Sequence, residues 1–148
     1  YVAPAQQTAQ VETTSAQAPA AAADQTPAPA TNNATRDAIV SAAKAAQGTG
    51  YVWGGRSYGA WDCSGFVSYI FAQQGIKLTP YTYTMSTELR ATANPQPGDI
   101  VFTNGYNHVG IYVGNGQMVS ALNPSQGTQL TPVDGNGYMP VDGYYTAF

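Results

Sequence analysis

The first 34 residues of this 148-residue chain contain no Leu, Ile, Phe or Met, and no aromatic residue after Tyr1. Such a segment buries too little apolar surface to offset the entropy of ordering it. Residues 1–34, rich in Ala, Pro, Thr and Gln, therefore read as a disordered linker, extended around its prolines. The competing reading, an Ala-rich helix over residues 16–24, has Pro19 against it. A linker this long is expected to tether the chain to something upstream, a second domain or an anchor. Folding is left to residues 35–148, enough for one modest core.

Charge narrows the function classes. Charged residues make up 9% of the chain and the net charge is −3. No basic face is available for phosphates, so nucleic acid is not an expected partner. There is no run of about 18 apolar residues, so no membrane span is expected. The opening residues lack the charged and apolar regions of a signal peptide. The chain opens on Tyr1 and not Met, which reads as a processed or excised piece and leaves room for a removed export signal. The chain has one cysteine, Cys63, and one histidine, His108. A single cysteine forms no internal disulfide, and one Cys with one His falls short of the ligand clusters of zinc sites. No metal or other cofactor is expected.

Thr35 is a candidate N-cap, with Asp37 in the first turn and A-I-V-S-A-A-K-A-A-Q after it. Gly48 stops this helix. A glycine-rich loop with four aromatics follows, G-T-G-Y-V-W-G-G-R-S-Y-G-A-W. In D-C-S-G-F-V-S-Y-I-F-A-Q-Q-G, the residues Phe66, Val67, Ile70 and Phe71 recur at helical spacing from Cys63, and Gly75 ends the helix. A short helix is predicted over Thr84–Ala93. After the breakers N-P-Q-P-G at Asn94–Gly98, the period drops to two. D-I-V-F and H-V-G-I-Y-V read as strands, G-N-G as a hairpin turn and Q-M-V-S-A-L as the returning strand. The tail holds aromatic strand fragments around Tyr138, Tyr144, Tyr145 and Phe148. Helices followed by an antiparallel meander predict an α+β fold, with the helices on one side of a sheet.

Cys63 bears most directly on function. Nucleophilic cysteines act as thiolates, whose pKa is lowered by a helix N-terminus and by a nearby imidazolium. Asp62 is an N-cap residue type, which puts Cys63 at the first helical position. Free backbone N–H groups there favour an anion and can stabilise an acyl-transfer oxyanion. Small Ser64 and Gly65 leave room for substrate. The bland alternatives are a buried structural thiol and a strand histidine satisfied locally. Against them, Cys63 stands at the very start of its helix, beside the glycine loop. His108 opens a strand whose Val109, Ile111 and Val113 face the core, which leaves His108 on the other face with Gly110 and Tyr112. The pattern favours a Cys63/His108 catalytic pair.

Y-V-W-G-G, D-C-S-G-F, Q-P-G-D-I-V-F and N-H-V-G-I-Y-V-G-N-G-Q-M-V-S-A, in that order, resemble the NlpC-type cysteine peptidases, papain-like bacterial cell-wall hydrolases. The resemblance covers residues 35–148. It implies a papain-like fold in which the cysteine's helix packs on an antiparallel sheet carrying the histidine. It also implies export, and cleavage of peptidoglycan stem peptides, typically between γ-D-glutamyl and the diamino acid. Carried over residue by residue, Cys63 looks like the nucleophile and His108 like the general base. The family's third polar residue, usually His, Asn, Gln or Glu, lies twelve positions after the histidine, and here that position is Ser120. Its task is to orient the imidazole, and a serine hydroxyl is short and uncharged. Hairpin register supplies Asn123 as an alternate. A two-residue Asn115–Gly116 turn sets Asn123 opposite His108, whereas a longer Gly114–Gly116 turn brings Ser120 diagonal to it. Tyr51, Asp62 and Ser64 resemble positions that line the substrate cleft and in some members bind the stem peptide's amine or backbone. Trp53 is expected to pack in the core under the glycine loop, and Arg56 to be a solvated loop residue.

Three functions compete. The leading one is a secreted, monomeric cysteine endopeptidase acting on peptidoglycan stem peptides. The second is an amidase cutting the sugar–peptide junction. The third is a weakly active or inactive wall-binding module, given standing by Ser120 and opposed by the intact Cys/His pair.

Overall fold

A computed structural model describes residues 30–148. Most of the segment expected to be a linker, including the alternative helix over 16–24, lies outside the described residues. The first helix, α1 (Ala30–Ala45), begins earlier than the expected Thr35 cap, so Thr35 lies inside it. Nothing in A-T-N-N-A, residues 30–34, breaks a helix. The chain divides into two units at Asp37/Ala38. The second, Ala38–Phe148, holds everything described below. Gly48 follows α1 with φ +87°, a left-handed conformation suited to glycine.

The glycine-rich stretch contains a small hairpin, β1 (Arg56–Ser57) with β2 (Ala60–Trp61). Next come α2 (Cys63–Ala72) and α3 (Thr82–Glu88). Six strands follow: β3 (Arg90–Thr92), β4 (Ile100–Thr103), β5 (His108–Gly114), β6 (Gln117–Asn123), β7 (Gly127–Pro132) and β8 (Val141–Thr146). They form one antiparallel sheet in the order β3-β8-β4-β5-β6-β7. The helix predicted over Thr84–Ala93 is therefore corrected. It starts at Thr82 and ends at Glu88, and Arg90–Thr92 pairs with Tyr144–Thr146 at the sheet edge. Pairing with a distant strand overrides local propensity there. Strand β7 was not anticipated, because G-T-Q-L-T-P is short and polar with a terminal proline, as edge strands are. Of the tail aromatics, Tyr144 and Tyr145 lie in β8, while Tyr138 and Phe148 lie outside it.

Helix α2 presents Phe66, Val67, Ile70 and Phe71 to one sheet face, formed by Ile100, Phe102, Val109, Ile111, Val113, Val119 and Ala121. Each buried Phe, Ile or Val among them contributes roughly 1.5–3 kcal/mol. Trp61, wholly buried, packs edge-on against Phe66 and donates from Nε1 to Thr128 Oγ1 at 2.9 Å. Val101, Thr103, His108, Gly110, Met118 and Ser120 alternate onto the opposite face and are buried as well.

The β5–β6 turn settles the register. Asn115 and Gly116 both have positive φ, and Gly114 pairs with Gln117, as in a two-residue turn. An irregularity between Tyr112 and Gly114 then shifts the pairing by one, giving Tyr112↔Met118 and Ile111↔Val119. Continued along the strands, this register sets Ser120 opposite Gly110 and Leu122, not Asn123, opposite His108.

Candidate active site

Asp62 organises the start of α2. It takes extended backbone angles as N-cap, and Oδ1 accepts from the Gly65 N–H at 2.8 Å. Oδ2 accepts from the Gly54 N–H at 3.2 Å, and the Asp62 N–H donates to the Gly55 carbonyl at 3.1 Å. One carboxylate thus caps the helix and pins the glycine loop to it. The contact is close: a Cβ on Gly65 would lie 2.1 Å from the Gly55 carbonyl oxygen. Ser64 Oγ donates to the Pro80 carbonyl at 2.8 Å, drawing the segment before α3 alongside.

A cleft of about 910 Å³ opens at this helix end. Tyr51, Asp62, Cys63 and Ser64 line it from one side, and His108, Leu122 and Asn123 from the sheet. Of the seven candidate catalytic and substrate-binding residues Tyr51, Asp62, Cys63, Ser64, His108, Ser120 and Asn123, only Ser120 is absent from the lining. It is fully buried. Asn123 reaches the cleft, but its side chain is engaged in the β6–β7 turn. Its Oδ1 accepts from the N–H groups of Ser125 (3.1 Å) and Gln126 (2.8 Å), and its Nδ2 donates to Gln126 Oε1 at 2.7 Å.

Cys63 is a free, half-buried thiol. Burial pushes its pKa up, and the Asp62 charge adds to this, while backbone hydrogen bonds from Val109, Ser64 and Cys63 itself pull it back. The lowered thiol pKa expected from the helix start is therefore not what the free site shows. Desolvation and a neighbouring carboxylate outweigh the N-terminal N–H groups. The Val109 contact brings the sulfur against the residue following His108. Burial, at 7% exposure, lowers the His108 pKa to about 4. At neutral pH the pair rests as thiol and neutral imidazole. The Tyr51 phenol is raised by burial and then by its electrostatic interactions with Cys63 and Asp62, so it stays a donor.

His108 follows a strained turn. Asn104, Gly105 and Tyr106 all have φ between 59° and 70°, a conformation costing of order 1–3 kcal/mol for a bulky residue such as tyrosine. The Tyr106 N–H donates to Asp142 Oδ2 at 2.8 Å, and its hydroxyl bonds that of Tyr145 at 2.9 Å. These contacts hold the turn that aims β5. Across the β4–β5 ladder Thr103 is the direct partner of His108. Thr103 Oγ1, His108 Nε2 and Ser120 Oγ are buried with no hydrogen-bond partner among the described residues.

Two expectations change here. Trp53 is not in the core but 86% exposed, at the tip of a turn closed by the Gly55 N–H to the Val52 carbonyl at 2.8 Å. Trp61 takes the core position instead. Arg56 is not simply solvated: its Nη2 donates to the Tyr81 hydroxyl at 2.9 Å, on the cleft rim. The rim aromatics Trp53, Tyr81 and Tyr138 carried no periodic signal, because loops set their placement.

The NlpC/P60 family profile matches residues 48–142. A probable endopeptidase p60 of Listeria grayi is 40% identical over 113 residues, covering 72% of this chain and 22% of the relative. That of Listeria seeligeri is 43% identical over 105 residues, covering 68% and 20%. The chain thus spans about a fifth of the length of these relatives. Among solved structures, the NlpC/p60 domain of the peptidoglycan hydrolase SagA matches with a TM-score of 0.65 at 28% identity, over 75% of this chain and 97% of that one. The peptidoglycan hydrolase RipB from Mycobacterium tuberculosis matches with 0.68 at 26%, over 80% and 67%.

Proposed function

Because the chain belongs to the NlpC/P60 family, we propose that it is a secreted peptidoglycan hydrolase, a cysteine endopeptidase that cuts stem peptides at the γ-D-glutamyl–diamino acid bond. Residues 35–148 are its catalytic domain, and residues 1–34 a tether whose last residues open α1. The observation that carries this reading is the meeting of Cys63, at the start of α2, and His108, at the start of β5, in one cleft.

The chemistry begins from the neutral pair. As the Cys63 sulfur attacks the amide carbonyl, His108 takes the thiol proton as general base. The tetrahedral oxyanion is met by the Cys63 and Ser64 N–H groups at the start of α2, which bond the sulfur in the resting site. The imidazolium gives its proton to the departing amine, leaving a thioester on Cys63. Neutral His108 then takes a proton from water, whose oxygen attacks the thioester. The acyl group leaves as a carboxylic acid and the thiol is restored. Asp62 and Tyr51 line the same cleft as Cys63; in this reading Asp62 accepts from a substrate amine and Tyr51 donates to its backbone.

The test is digestion of purified wall fragments with wild type and Cys63→Ala, read by mass spectrometry. A Cys63-dependent new amino terminus on the diamino acid is expected. Release of whole stem peptides would make the enzyme an amidase. The absence of any Cys63-dependent product would leave only a wall-binding module.

A further inference from the structure

The pairing that holds His108 sets three polar side chains on one sheet face, each with a buried atom that has no partner among the described residues. Thr103, on β4, is its direct cross-strand partner, so the two side chains stand on one face with Cβ atoms about 4.5–5.5 Å apart. Ser120, on β6, falls on the same face, opposite Gly110 and hence diagonal to His108. Gly110 is what makes that approach open. A Cβ there would lie 3.0 Å from Ser120 Cβ and 2.7 Å from Met118 Sδ, and any side chain would fill the path between Ser120 and the ring. Thr103 and Ser120 are both 0% exposed and His108 is 7% exposed. Thr103 Oγ1, Ser120 Oγ and His108 Nε2 all lack a hydrogen-bond partner among the described residues. Buried polar groups are paired in more than about nine cases in ten. Three at once, on adjacent strands and one face, call for a common partner.

We propose that Thr103 is a second positioning residue for the catalytic histidine: Thr103 and Ser120 flank the ring from the two neighbouring strands and together hold the Nε2 proton through one enclosed water. Three polar partners are what a buried water typically uses. A hydroxyl both donates and accepts, so the water accepts from Nε2–H and donates to the two oxygens. The ring is thereby fixed as the Nε2–H tautomer, with Nδ1 left as the base. This arrangement explains how a short, uncharged serine serves at the third position: the task is shared across the imidazole with a threonine on the other strand. The inference rests on the role proposed above for His108, but its test does not depend on turnover.

His108 is the only histidine in the chain, so the ring nitrogen signals of a ¹⁵N-histidine-labelled sample are its alone. Wild type at pH 7 is expected to show a single Nε2–H tautomer with a slowly exchanging ring proton. Thr103→Val, close in shape, is expected to give a tautomer mixture and fast exchange. It should also lower kcat about tenfold with KM unchanged, the lower end of what removing the hydrogen-bond partner of a metal-bound histidine costs. Thr103→Ser should restore both readouts. Because one water serves both hydroxyls, Thr103→Val combined with Ser120→Ala should cost little more than either alone. Thr103→Ala removes the same hydroxyl without added bulk and replaces the valine variant if that one does not fold. A wild-type ring already in the Nδ1–H form, or an unchanged ring spectrum in a folded Thr103→Val or Thr103→Ala, would overturn the assignment. An inactive wild type with the expected spectrum would instead count against the peptidase reading alone.

Discussion

At the scale of single residues, the site is governed by desolvation. Burial holds Cys63 as a thiol and His108 as a neutral ring, so the proton moves during attack and not before it. Iodoacetamide labelling of Cys63 is accordingly expected to accelerate with pH, with its midpoint above the ordinary thiol value of about 8.5. A full rate already reached at pH 5–6 would show a preformed thiolate–imidazolium pair. The histidine also links stability to pH. Its pKa is about 4 folded against about 6.5 unfolded, so between these values the unfolded chain binds more protons and stability rises with pH. Acidification from above 6.5 to below 4 should therefore remove about 3 kcal/mol, and His108→Gln should lose that part of the slope. Urea unfolding of both proteins at pH 7 and pH 4 measures it.

At the scale of elements, the start of α2 and the glycine loop form one unit through Asp62 and the Gly65–Gly55 approach. Gly65→Ala would drive a methyl into a backbone oxygen that cannot step aside. A loss of at least about 3 kcal/mol is expected, read as a drop in Tm of 10 °C or more for a domain of this size. A Tm within about 3 °C of wild type would mean the loop is free to retreat from the helix. Helix α2 itself was legible in the sequence, since its cap, apolar stripe and terminating glycine all lie within fourteen residues. The β5–β6 hairpin was legible in its turn but not in its register. The irregularity before Gly114 shifts every pairing by one, and nothing local to Asn115–Gly116 announces it. That single step sets Ser120 beside Gly110 and leaves Asn123 to the β6–β7 turn.

At the scale of the whole molecule, the sheet edge is tied to the loops that precede α2. The Gly48 N–H donates to the Thr128 carbonyl and the Thr128 N–H to the Thr49 carbonyl, both at 2.9 Å, while Trp61 bonds the Thr128 hydroxyl. Thr128→Val would keep the volume but strand the buried indole N–H, at an expected cost of about 1–3 kcal/mol. Equilibrium denaturation that finds less than about 0.5 kcal/mol would mean the indole has another acceptor. The same ties fix the cleft walls relative to the sheet, so this variant should also raise KM for wall fragments. Among the described residues no helix is long and apolar enough to cross a membrane.

Composition, one cysteine, one histidine and four ordered motifs were enough to specify an α+β chain with a helix-start thiol and a strand histidine, because caps, turns and hydrophobic periods are local. Tertiary structure alone decided which tryptophan is buried, that Arg90–Thr92 joins the sheet, and which residues stand around the imidazole. Those outcomes depend on cross-strand register and on desolvation, and both come from groups far apart in the chain that meet only once it has folded.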